Sequence, residues 1–124
     1  MSDDPGEPSF GVDYVASGNP DMVELLTRYG EMWESSAAPF YAAVFESTGL
    51  DVRVRELIAI ALLAMKGWEA GLQFHTRAAL EAGVDPDEIR GAILTTIGID
   101  GVATASRGLK WFESYYKTWT AAES

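Results

Sequence analysis

From Asn19 onward the apolar residues recur every three or four positions, the period of an amphipathic helix and not the alternation of a strand. Asn19 offers a cap and Pro20 suits a first turn, so the spacing predicts a helix through DMVELLTRYGEMWESS. Pro39 is expected to interrupt the chain, because proline lacks an N–H and its ring collides with the carbonyl one turn back. FYAAVFEST then forms a shorter helix ending at Gly49. Asp51 opens DVRVRELIAIALLAMK, whose second half is apolar on all sides and must be enclosed by several neighbours. Gly67 breaks or bends the chain before WEAGLQFHTRAALEAG, which stops at Gly83 in the manner of a helix C-terminus. Asp85, Pro86 and Glu88 form a capping signature for DEIRGAILTTIG, with the stripe Ile89, Ala92, Ile93, Thr96 and Ile97. After Gly101 a last helix is predicted to about Trp119, with Val102, Ala105, Leu109, Phe112, Tyr116 and Trp119 on one side. The sequence carries no alternating pattern of any length, so the fold class is all-α, a bundle of about six helices with short connections.

Composition narrows this picture. A chain of 124 residues fits one domain, placed at residues 20–120, preceded by a flexible acidic arm at 1–19 that bears several Pro and Gly. The arm opens on acidic residues, the reverse of the basic and then apolar order of a secretory signal, so a cytoplasmic protein is expected. A net charge of −10, from 19 acidic against 9 basic residues, repels phosphate backbones and argues against nucleic acid as a partner. The longest apolar run, LIAIALLAM, has about half the ~20 residues that a membrane span requires, so no membrane partner is expected either. The absence of cysteine excludes disulfides, thiolate metal sites and every mechanism that runs through a thiol. With one histidine, no paired-histidine metal pattern, no Gly-rich phosphate loop and no nucleophile elbow, neither a metal nor a cofactor is expected.

The candidate chemistry lies in two neighbouring helices. On a helical wheel His75 falls about 20° from Trp68 and about 40° from Gly71, so the imidazole looks inward beside a position with no side chain. Glu69 falls roughly 120° away and is a poor partner for His75, though it can approach Gln73 one turn on. Glu56 shares its face with Ile60 and Leu63, where a carboxylate is costly to bury and must find a donor or take up a proton. Taken singly, His75 reads as a core histidine satisfied by a carbonyl, and Glu56 as a salt-bridge partner of Arg53 or Arg55. Taken together, a carboxyl and an imidazole entering one interior from adjacent helices are the usual material of proton transfer near neutral pH.

DVRVRELIAIALLAMKGWEAGLQFHTRAALEAGVDPDEIRGAIL resembles the core of the carboxymuconolactone decarboxylase family, which includes the alkylhydroperoxidase D proteins. The similarity is greatest in RELIAIA, HTRAAL, EAGV and DEI. The peroxidase branch carries a Glu, two Cys and a His at set spacing; here Glu56 and His75 stand at the outer positions and Trp68 and Gly71 replace the thiols. Peroxide reduction by thiols is therefore closed to this chain. The sequence is more similar to the cysteine-free branch, whose decarboxylases keep the histidine and a Gly-x-Glu lead-in like Gly67-Trp68-Glu69. Those proteins tend to carry a second Glu where Gly71 stands, so the site departs from theirs at that position.

The resemblance implies an alkylhydroperoxidase D-like helical bundle, assembled as a ring-shaped homo-oligomer, trimer or hexamer. It also implies a cofactor-independent acid/base enzyme acting on a small molecule, most concretely a decarboxylase of a cyclic carboxylated lactone or similar organic acid. No side chain here is an electron sink, so the substrate must supply its own. His75 would deliver the proton or stabilise the enolate; Glu56 would orient the imidazole, directly or through water, and favour its cationic form. Arg77 has the fork that suits a substrate carboxylate, but lies roughly 160° round the helix from His75 and would serve a neighbouring subunit's pocket or none. Trp68 reads either as a pocket wall or as a plug filling the space the thiols would have taken. Two rival functions stay open: an isomerase, cyclase or dehydratase using the same pair, and a non-catalytic ligand-binding or scaffold protein.

Overall fold

The computed structural model describes residues 27–123. The expected arm at 1–19 and the start of the first expected helix lie outside the described residues. The chain divides after Leu50 into two units, each described by itself.

In the first unit, residues 27–32 are helical and lead through a wide turn, Trp33–Ala37, into α1 (Ala38–Glu46). Pro39 therefore does not interrupt the helix as the sequence predicted. The N–H of Ala38 reaches back to the carbonyl of Trp33, five residues earlier. That wider loop falls at Ser35, the carbonyl an α-helical Pro39 would strike, so the proline is absorbed within a continuous helix. The ring of Trp33 stacks on Tyr41 at 5.1 Å across this turn. Gly49, at φ 76°, ends the unit in the left-handed conformation that glycine adopts without strain.

The second unit contains α2 (Val52–Lys66), α3 (Glu69–Glu81), α4 (Pro86–Thr95), the single turn α5 (Ile97–Asp100) and α6 (Val102–Glu123). No strand occurs among the described residues. Sequence signals set most of the boundaries. The Asp51 side chain accepts the Arg53 N–H at 2.9 Å and starts α2; Gly67, at φ 77°, ends it in a left-handed turn. Asp85 and Glu88 close a reciprocal capping box on α4. Helix α2 packs on α3, α4 and α6, and α6 also covers α3 and α4. Ile60, Ala64, Leu72, Ala79, Val84, Ile89, Ile93, Ala105 and Phe112 make the core. Each large member contributes about 1.5–3 kcal/mol through burial. Gly108 lets α6 approach closely: a Cβ there would lie 3.0 Å from both Ala64 Cβ and Ile93 Cγ2.

Two expectations of core position fail. Thr96 donates its hydroxyl to the Ile93 carbonyl at 2.6 Å, the α4 helix ends there, and Ile97 is turned out to 40% exposure. Val102, the first residue of α6, is also exposed. Helix α2 is enclosed on one side only: Ile60 and Ala64 are buried, whereas Val54, Ile58 and Leu62, one turn apart, are exposed. No described helix is long and apolar enough to cross a membrane.

Candidate active site

The Asp51 cap fixes the phase of α2 so that Glu56 falls on its core stripe with Ala59, Ile60 and Ala64. Only Gly67 and Trp68 separate α2 from α3, so the two helices run antiparallel as immediate neighbours. Across that hairpin Glu56 Oε2 lies 2.7 Å from His75 Nδ1. On the other side of the carboxyl group, Arg55 Nε stands 3.9 Å from Oε1. The buried acid thus lies between an imidazole and a guanidinium, which offsets its desolvation.

As a carboxylate Glu56 can only accept, so Nδ1–H donates to it and Nε2 becomes the ring nitrogen turned away from the acid. Exposure differs across the pair: the Glu56 side chain is 7% exposed and the His75 side chain 22%. The imidazole is therefore the more solvent-exposed member of the pair. The ring of Phe74 sits edge-on to the imidazole at 5.2 Å.

Trp68 and Gly71 meet at the start of α3. A Cβ added to Gly71 would fall 2.5 Å from Cε3 and 2.8 Å from Cδ2 of Trp68, and 2.9 Å from Leu63 Cδ2. The indole thus lies over the bare backbone of Gly71, and Leu63, two turns along α2 from Glu56, closes on the same space. Trp68 stays 40% exposed, with Lys66 Nζ 5.6 Å from its ring centroid.

Arg77 stands apart from these residues. Its Nε donates to Glu81 Oε1 at 2.8 Å, one turn on along α3, on the side of the helix away from His75. It also acts on Tyr115, whose phenol is pushed up from its ordinary pKa by burial; Arg77 opposes that shift and Glu81 adds to it. Glu69 accepts from Gln73 Nε2 at 3.5 Å. Arg53 turns to Glu88 at 3.2 Å, leaving Arg55 as the guanidinium beside Glu56.

Sequence reasoning passed over two residues. Arg107 of α6 donates Nη2–H to the Ala64 carbonyl at 2.8 Å, capping the end of α2 beside Gly67, and lies over Trp111. Only tertiary packing brings it there, and no local pattern announces it. Thr76 is fully buried next to His75, and its hydroxyl has no hydrogen-bond partner. A threonine within an apolar helical stripe was the available signal. Among the described residues no group of three or more acids and histidines is arranged to hold a metal ion.

The family model for the carboxymuconolactone decarboxylase family matches residues 33–114, more than half of the chain. The protein belongs to that family, and its helical bundle is the family's fold. It is also similar to the 4-carboxymuconolactone decarboxylase of Acinetobacter baylyi, with 28% identity over 101 residues. That alignment covers 80% of this chain and 66% of the relative, so the chain spans about two thirds of the relative's length. No solved structure matches the chain significantly.

Proposed function

We propose that the protein is a cofactor-independent decarboxylase of a small cyclic carboxylated acid, with His75 as the proton-transferring group and Glu56 as its anchor. The observation that carries this reading is the 2.7 Å contact between a buried acid and a partly exposed imidazole on adjacent helices. Family membership and the similarity to a 4-carboxymuconolactone decarboxylase support it.

When the C–C bond to the departing carboxylate breaks, carbon dioxide leaves and the bonding pair enters the conjugated carbonyl of the substrate, forming an enolate. The imidazolium, held through Nδ1–H by Glu56, stabilises that negative charge and then gives its Nε2 proton to carbon; solvent restores the proton. Glu56 stays behind the ring and sets its orientation. Trp68 and Gly71 form the wall of this site. Arg77 serves a substrate carboxylate only where a second copy of the chain brings a site to it. In this reading residues 20–120 are the functional domain, 1–19 an arm, and the protein works as a cytoplasmic homo-oligomer, trimer or hexamer. The exposed stripe of Val54, Ile58 and Leu62 on α2 supports such an assembly.

The test is ultraviolet assay of 4-carboxymuconolactone and related unsaturated lactone acids. Wild type should consume one of them with release of carbon dioxide, and His75→Gln and Glu56→Gln should stay folded and lose at least about a hundredfold in kcat. Turnover of such acids without carbon dioxide release would favour isomerisation, cyclisation or dehydration by the same pair. Absence of any turnover, with both variants altered only in stability or assembly, would favour the non-catalytic reading.

A further inference from the structure

Trp68 and Gly71 both break local rules, and the two exceptions share one explanation. Trp68 occupies the N-cap of α3 with extended backbone and no side-chain cap hydrogen bond, where Ser, Thr, Asp or Asn would stabilise the helix by about 1 kcal/mol. Gly71 lies within the first turn of the same helix, where glycine costs up to about 1 kcal/mol relative to alanine. Its backbone is ordinary helix, so no left-handed turn demands glycine there. The demand is spatial: the smallest side chain at 71 would drive into the indole ring. Gly91 and Gly98, by contrast, have nothing within 4 Å of an added Cβ. Residues 68 and 71 are therefore one interlocked unit whose product is a fixed indole.

His75 follows Gly71 by one turn on the same face of α3, the face on which the indole is seated. Both rings are reachable from solvent, Trp68 at 40% exposure and the His75 side chain at 22%. The indole rests on Gly71, and Lys66 Nζ lies over the ring, 5.6 Å from its centroid, supplying a cation beside it.

We infer that Trp68, seated on Gly71, is the specificity-determining residue of the site, selecting flat conjugated ring acids over puckered saturated ones. The inference rests on the Glu56–His75 site proposed above for its placement, but it concerns recognition and is read without turnover. A flat ring lies against the indole across its whole face, whereas a puckered ring touches it at a few atoms. Lys66 meets the carboxylate in both cases and adds affinity without discrimination.

The experiment compares benzoate with cyclohexanecarboxylate by isothermal titration on the full chain. Wild type should bind benzoate about fivefold to tenfold more tightly. Trp68→Leu should bring the two affinities within about twofold. Gly71→Ala, which dislodges the indole, should do the same with Trp68 present and add nothing further in the Trp68→Leu background. Far-ultraviolet circular dichroism checks that each variant keeps its helices, and Gly91→Ala serves as a helical-glycine control that should leave the preference intact. Equal affinity for the two acids in wild type, no binding of either, or a preference that survives Trp68→Leu would overturn the inference. A flat-ring preference in a protein that turns over no lactone acid would leave the inference standing and defeat the decarboxylase; turnover without the preference would do the opposite.

Discussion

Replacing the partners of the Glu56–His75 pair singly and together isolates the energy of their contact. His75→Leu leaves a carboxylate at 7% side-chain exposure facing a hydrocarbon, with Arg55 Nε 3.9 Å away as remaining compensation. Breaking a buried pair in this way costs about 3–5 kcal/mol, and the nearby guanidinium places the expected loss near 3 kcal/mol. Glu56→Leu removes the acid instead, and the imidazole, 22% exposed, recovers part of its hydration, so the expected loss is about 1–2 kcal/mol. The double variant exchanges two polar groups for two apolar ones and should lose about 1–2 kcal/mol, because nothing charged is left buried. The singles then exceed the double by about 2–4 kcal/mol, the coupling between the two residues. Urea denaturation at pH 7 and one fixed protein concentration measures all four proteins, the fixed concentration holding any assembly contribution constant. Independent sites add within about 0.5 kcal/mol, so a coupling below that figure would refute the hydrogen bond as described.

Further expectations follow from the same structure. Thr76→Val replaces an unpartnered buried hydroxyl with a methyl of nearly the same shape, and should raise the urea midpoint by the equivalent of about 1 kcal/mol without changing the slope. Arg107→Met removes the hydrogen bond to the Ala64 carbonyl at the end of α2 and should cost about 1 kcal/mol in the same assay; an unchanged midpoint would show the cap to be idle. Burial raises the Tyr115 pKa, so the unfolded chain gives up this proton first as pH rises, and the folded protein binds more protons above the ordinary value of about 10. Stability should therefore be fully present below pH 10 and fall as pH rises through the folded value. In ultraviolet titration the last tyrosine transition should disappear in Tyr115→Phe.

Much of the bundle was legible in the sequence because its helix ends are written in local chemistry. Asp51, Gly67 and the Asp85/Glu88 box act within a few residues of themselves and need no tertiary context. Pro39 misled because the remedy for its clash, a wide turn at Trp33–Ala37, carries no residue signature. Ile97 misled because the periodicity runs on through Thr96, where α4 ends and the separate turn α5 begins. At the site, the inward phase of Glu56 and His75 followed from spacing alone, whereas their direct contact, left open between a hydrogen bond and a water bridge, comes only from the packing of α2 on α3. The choice between Arg53 and Arg55 beside Glu56 did not, since it depends on Glu88 arriving from α4 to take Arg53. Nor did the capping of α2 by Arg107, a contact spanning 43 residues of sequence.

The chain has one histidine, so its imidazole resonances need no assignment strategy. Nitrogen-15 NMR of the His75 ring at neutral pH is the most direct test of the central arrangement. The account predicts a slowly exchanging, downfield-shifted Nδ1–H in the folded protein, sharing its proton with Glu56, and loss of that signal in Glu56→Leu while the backbone spectrum stays native-like. A ring that exchanges its Nδ1 proton freely, or one protonated only at Nε2, would contradict it.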